Sequence, residues 1–187
     1  MAAATDVLSI CAAGDEAKAL EAMSSMGHGS FARWRHPETQ WTGLHAASKA
    51  GHHHIVEMLL KFGADPSATT HHRSTALHIA ACQGHKPVAE VLVRQVHWPS
   101  TYCYFLDERD NKGNTALHRA AQHGKTGVGR MLINAGSDLY AENDAGQTPI
   151  ARAREGDTGG HIALLSLLAL ARGAHRDSPT KRMKKSI

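Results

Sequence analysis

With 187 residues, 42% of them hydrophobic and only 5% aromatic, the chain can bury a continuous core, built mainly from Ala and Leu. Three cysteines without CxxC spacing argue against a disulfide framework or a zinc ribbon and for a reducing compartment, and no uncharged stretch reaches the roughly 18 residues that span a bilayer. The formal charge of +4 sits in the last twelve residues, where five basic side chains stand against Asp177, so the body is neutral and lacks the basic face that a nucleic-acid-binding fold carries.

The first residues, Met1 to Asp6, have no basic region and do not read as a secretory signal. Residues 5–23 carry Thr5, then Gly14-Asp15, then Leu20 and Met23, a degenerate version of a pattern that becomes clear downstream. Thr42-Gly43-Leu44-His45-Ala46-Ala47-Ser48 ends at Gly51. It returns as Thr75-Ala76-Leu77-His78-Ile79-Ala80-Ala81 with Gly84, and as Thr115-Ala116-Leu117-His118-Arg119-Ala120-Ala121 with Gly124. A weaker copy opens at Thr148-Pro149-Ile150, and the four Thr positions lie 33, 40 and 33 residues apart. A period of that length marks one supersecondary unit stacked on copies of itself.

Each residue class in the motif has a mechanical role. The threonines cap a first helix by accepting from unpaired backbone N–H groups, and Pro149 suits the first turn. Leu44, Leu77, Leu117 and Ile150 point into the stack, the Ala pairs let a neighbouring helix approach, and Gly51, Gly84 and Gly124 end the helix in a left-handed conformation. Apolar stripes then predict a second helix per unit: Ile55, Val56, Leu59 and Leu60; Val88, Ala89, Leu92 and Val93; Val128, Leu132 and Ile133. Turns follow at Asp110-Asn111-Lys112-Gly113-Asn114 and Asn143-Asp144-Ala145-Gly146-Gln147. Gln40 and Arg73 replace the turn glycine in the first two units, which predicts irregular hairpins there.

The fourth unit carries Ala151 for the usual His, Arg154 for an Ala, and Gly156 one residue early; with Arg152, Glu155 and Asp157 it suits the solvent-facing end of a stack. The last apolar run, Ile162 to Leu170, has leucines on more than one face, which fits either a short core helix covered by a flank or a second protein contact. Ser178-Pro179-Thr180-Lys181-Arg182-Met183-Lys184-Lys185 reads as a disordered tail, either simply solvated or a nuclear-import signal or acidic-surface tether.

The sequences Thr-Ala-Leu-His-x-Ala-Ala-x-x-Gly, Gly51-His52-x-x-Ile55-Val56-x-x-Leu59-Leu60 and Gly63-Ala64-Asp65 resemble the ankyrin repeat over about residues 37–171. The resemblance implies an all-α solenoid of L-shaped units, each with two antiparallel helices and a projecting hairpin finger, that binds proteins along the fingers and the concave face of the first helices. It divides the chain into an N-terminal capping repeat with an extended finger (1–36), four repeats (37–69, 70–109, 110–142 and 143–171) and a basic tail (172–187).

Large aromatics concentrate off the helices. Phe31, Trp34 and Trp41 precede or enter the first finger, and Tyr140 lies in a later one. Trp98, Tyr102, Tyr104 and Phe105 fall in or beside the seven extra residues of the second interval. Such rings either plug the insertion or grip a partner, since Trp and Tyr dominate interface hot spots. The candidate protein-binding residues are therefore Trp41, His71, His72, Trp98, Tyr102, Tyr104, Phe105 and Tyr140, with residues 96–109 read as a longer finger.

Five of the fifteen histidines have roles implied by the ankyrin resemblance: His45, His78 and His118 occupy the motif position that ties adjacent loops, and His52 and His85 follow the turn glycine as the motif has it. His53-His54 and His71-His72 have no Cys or carboxylate at metal spacing, so no metal and no cofactor is expected. Gly124-Lys125-Thr126 fails as a phosphate loop because Arg119 stands where its first glycine belongs, and no HExxH, GxSxG or Cys/His nucleophile pair is present. The expectation is a monomeric, non-catalytic adaptor or scaffold in the cytoplasm, with nuclear entry as a second option. It binds one or more proteins, with no nucleic acid on the folded body and no membrane. The other reading is a regulatory subunit, an inhibitor or assembly chaperone of an enzyme complex.

Overall fold

The computed structural model describes residues 2–94, 105–156 and 158–176. Trp98, Tyr102 and Tyr104 lie outside the described residues, as does the segment after Arg176. Helix follows helix along the chain: α1 (Ala2–Ala13), α2 (Glu16–Met26), α3 (His28–Arg33), α4 (Gly43–Ala50), α5 (His53–Lys61), α6 (Ala76–Gln83) and α7 (Lys86–Arg94). After the undescribed stretch come α8 (Ala116–Gln122), α9 (Thr126–Asn134), α10 (Pro149–Arg154) and α11 (Gly159–Arg176). The first helices of successive units are α1, α4, α6, α8 and α10, and the second helices are α2, α5, α7, α9 and α11.

The motif residues do what their chemistry requires. The hydroxyls of Thr75, Thr115 and Thr148 accept from the backbone N–H groups of His78, His118 and Ala151 at 3.4, 3.5 and 3.4 Å, starting α6, α8 and α10. Gly51 and Gly84 close α4 and α6 in the left-handed region, at φ 88 and 86°. Ala80, Ala81, Ala120 and Ala121 are fully buried, as are Leu77 and Leu117, and one apolar cluster runs from Val7 through every unit to Leu168. Each fully buried Leu in that seam contributes about 1.5–3 kcal/mol. Leu60 and Ile133 are only half-buried, so the inward stripe of α5 and α9 is narrower than the apolar spacing suggests.

The first and last units differ from their sequence readings. The helix begins at Ala2, ahead of Thr5, because Ala2-Ala3-Ala4 are strong helix formers. The residues read as a long finger include α3, which buries Phe31 and Ala32 in the core. At the other end α11 continues through Arg176, past the expected repeat boundary at 171.

The second, third and fourth fingers share one hairpin pattern although the second lacks a turn glycine, whereas the first is one residue longer, with His36 donating its N–H to Trp41 O at 2.8 Å and Gln40 to His36 O at 2.9 Å. Arg73 donates its N–H to Thr70 O at 2.8 Å and Thr70 donates to Ser74 O at 3.0 Å, matching the Gly113–Asp110 and Asp110–Asn114 pair in the third finger. Gln40 and Arg73 accept φ of 58 and 57° themselves. The expectation of an irregular hairpin is thus corrected for the Arg73 finger, while the Gln40 finger does carry an extra residue. His71 donates its backbone N–H to Thr39 O, Asn111 to His72 O and Asp144 to Lys112 O, at 3.2, 2.9 and 3.1 Å, so each fingertip is pinned to the one before it.

Candidate concave groove and the histidine seams

The platform of the candidate site is held by two sets of histidines. In the first, His45, His78 and His118 are buried, and their Nδ1 atoms accept from the backbone N–H of Thr42, Thr75 and Thr115 at 3.1, 3.3 and 3.2 Å. That leaves Nε2–H to donate across the seam to Ser74, Asn114 and Gln147 carbonyls at 3.1, 2.9 and 2.9 Å. The hydrogen-bond pattern fixes the neutral Nε2–H tautomer. Burial pushes His45 down to about 4 and lowers His78 and His118 as well.

The second set points backwards. His52, His85 and His161 reach the carbonyls of Ala12, Lys49 and Gln122 at the ends of the preceding first helices, at 2.9, 3.1 and 3.0 Å. The rings lie against glycine: a Cβ at Gly51 would meet His85 at 2.9 Å, and φ of 88° already disfavours a side chain there. At the seam between the second and third repeats Lys125 occupies the place of the ring, against Gly84. The role of His161 was missed in the sequence, although Gly160-His161 repeats the dipeptides Gly51-His52 and Gly84-His85.

The fingers and first helices of the first three repeats enclose a groove of about 220 Å³. Trp41 and Ser74 line it from the fingers, Lys49 from α4, His78, Ile79, Cys82 and Gln83 from α6, and Arg119 from α8. Trp41 is half-buried, its ring 5.9 Å from that of His45, with Lys49 Nζ 5.7 Å from its centroid. Arg119 is clamped by Asp110, whose side chain is fully buried. Burial works against the Asp110 charge, but the N–H groups of Lys112 and Asn114, together with Arg119, hold the carboxyl below its usual range. Cys11, by contrast, lies in the core, and burial pushes its thiol up to about 12.

Among the predicted contact residues, Trp41 lines this groove and His71 and His72 are exposed on the neighbouring fingertip with their rings 3.7 Å apart. Tyr140 is half-buried against the core and is not part of the groove. Phe105 is corrected: at 2% exposed it is a core residue, packed in the same apolar cluster as the repeat helices. The groove residues Lys49, Ile79, Cys82, Gln83 and Arg119 were not singled out in the sequence. Their signal was the motif's free positions, the x sites of Thr-Ala-Leu-His-x-Ala-Ala-x-x-Gly, which face outward while the fixed letters face in. Among the described residues no group of three or more His, Cys, Asp or Glu is placed to hold a metal, and no helix is long and apolar enough to cross a membrane.

Family profiles described as ankyrin repeats match residues 8–102 and 106–153. The chain belongs to the ankyrin-repeat family. Similar ankyrin-repeat relatives include the nuclear factor NF-kappa-B p105 subunit of Gallus gallus, 29% identical over 162 residues, which cover 86% of this chain and 16% of that protein. NF-kappa-B inhibitor alpha of Homo sapiens is 33% identical over 103 residues, 55% of this chain and 32% of that protein. The target of rapamycin complex 2 subunit AVO2 of Saccharomyces cerevisiae is 28% identical over 115 residues, 60% of this chain and 26% of that protein. The chain therefore spans no more than about a third of the length of these three relatives. The ankyrin repeat is a protein-binding architecture, and the common ground with these relatives is the stacked unit.

Proposed function

We propose that this ankyrin-repeat chain is a non-catalytic protein-recognition module of the cell interior, working as an adaptor or scaffold that holds its partner in the concave groove. The observation that carries the reading is the half-buried Trp41 ring, which lines that groove together with Ile79 and Cys82. A buried aromatic beside an apolar pocket is the arrangement that concentrates binding energy at protein interfaces. Trp98, Tyr102 and Tyr104 form a second candidate contact on the insertion.

The test is quantitative affinity capture from the native cell with the full chain and two arginine variants. Ile79→Arg fills the groove, whereas Leu20→Arg alters an exposed position on a second helix, 44% accessible. The partner should be lost with Ile79→Arg and kept with Leu20→Arg. Equal retention by both variants refutes the groove. A second reading, a regulatory or assembly subunit, is supported by relatives whose names include an inhibitor and a complex subunit. Pulse-labelling separates the two, because a chaperone leaves the finished complex and an adaptor stays in it.

A further inference from the structure

The charges around the groove define the chemistry of what enters it, and this step rests on the groove reading above. Every lysine within a described second helix has a carboxylate partner on its own unit: Lys18 with Asp15 at 3.2 Å, Lys61 with Glu57 at 3.2 Å and Lys86 with Glu90 at 3.3 Å. Lys49, the lysine of the first helices, has none among the described residues and rests over Trp41 instead. Arg73, exposed on the second finger, also has no carboxylate partner there, and Arg35 on the first finger donates only to the neutral amide of Gln40 at 3.3 Å. Arg119 is the exception, neutralised by Asp110 and held as part of the wall. Lys49, Arg73 and Arg35, on or beside the fingers and first helices that form the groove, are therefore cations without a carboxylate partner among the described residues.

A pocket of about 220 Å³ with Trp41, Ile79 and Cys82 in its wall has room for one aliphatic or aromatic side chain. We infer that the groove recognises a peptide segment of a partner protein in which one large apolar residue is flanked by aspartates or glutamates. The apolar side chain enters against Trp41 and Ile79, and the flanking carboxylates pair with Lys49 on one side and Arg73 or Arg35 on the other. Opposite charges around a dry anchor fix register and orientation and speed encounter. An ammonium already packed on an indole face loses little on exchanging water for a carboxylate.

The probe is a display library of random short peptides selected against the full chain, with selected sequences then titrated against Lys49→Glu and Ile79→Arg. Lys49 is exposed, and circular dichroism verifies that Lys49→Glu and the milder Lys49→Gln keep the fold. Selected peptides should pair acidic residues with one central apolar residue, lose about tenfold in affinity with Lys49→Glu and less with Lys49→Gln, and weaken as salt rises. Peptides that Ile79→Arg abolishes but that are neutral or basic, or that ignore Lys49→Glu, overturn this inference and leave the groove reading standing. Peptides that bind Ile79→Arg unchanged, or a selection that enriches nothing, overturn both.

Discussion

The two non-glycine residues in the left-handed region separate strain from its compensation. A side chain there costs roughly 1–2 kcal/mol, while replacing it with glycine costs about 0.4–1 kcal/mol through the unfolded chain. Gln40 offsets some of this, since its Nε2 donates to Pro37 O at 2.8 Å and its Oε1 accepts from Arg35. Arg73 is exposed at φ 57°, and its side chain makes no hydrogen bond or ion pair among the described residues. Arg73→Gly is therefore expected to raise stability by about 0.5 kcal/mol, and Gln40→Gly to change it less. Urea unfolding of the two variants checks this, and a lower midpoint for Arg73→Gly contradicts it. Arg73 adjoins the groove residue Ser74, so its turn displays a cation where glycine would display nothing.

At the scale of elements, α11 docks against α9 through a missing side chain. A Cβ on Gly129 would stand 2.4 Å from Leu164 Cδ1, and Leu164 is fully buried with nowhere to retreat. Gly→Ala in a helix gains up to about 1 kcal/mol of propensity, but overpacking costs roughly 1–3 kcal/mol. Gly129→Ala should therefore destabilise by about 1 kcal/mol, and Leu164→Ala in the same chain should make that alanine harmless. A double-mutant cycle without coupling would place the two helices farther apart. How much of this was legible varies with the element. The helices of repeats one to three were plain because their caps, Ala pairs and terminal glycines are local and recur. The finger of Arg73 was misread because part of what holds it, the bond from His71 N–H to Thr39 O, involves the neighbouring unit, which a single loop sequence does not display. Helix α3 was taken for finger because its six residues carry no cap signal, only Phe31 seeking the core. The concave face and Trp41 were legible in the sequence, but most of the groove lining was not, since it lies at the positions that the repeat leaves free.

The whole molecule is a row of seams, and its acid response follows from that. His45, His78 and His118 each sit neutral between units, with folded-state pKa below the ordinary value of about 6.5. A depressed histidine favours the folded state fully above the unfolded pKa. That contribution is lost as pH falls below about 6.5 towards the folded value, which for His45 is about 4. For His45 the loss between pH 7 and pH 5 should be on the order of 1–2 kcal/mol, and His78 and His118 should lose stability in the same direction. Because the seams are linked in one dimension, the losses accumulate along the stack. Urea midpoints should drop steeply over this range, and the drop should shrink in His118→Gln, already weaker at pH 7. A midpoint independent of pH would show that the rings titrate freely.

The glycine–histidine contacts also act as a splicing rule. The two halves of each joint belong to different units: one supplies the bare backbone and the next supplies the ring, as with Gly51 and His85 or Gly124 and His161. Excising the second repeat would bring Lys125 against Gly51 and leave the Lys49 carbonyl without its imidazole donor, so the modules are not interchangeable bricks. Lengthening or shortening this chain by whole repeats requires matching both faces of every cut.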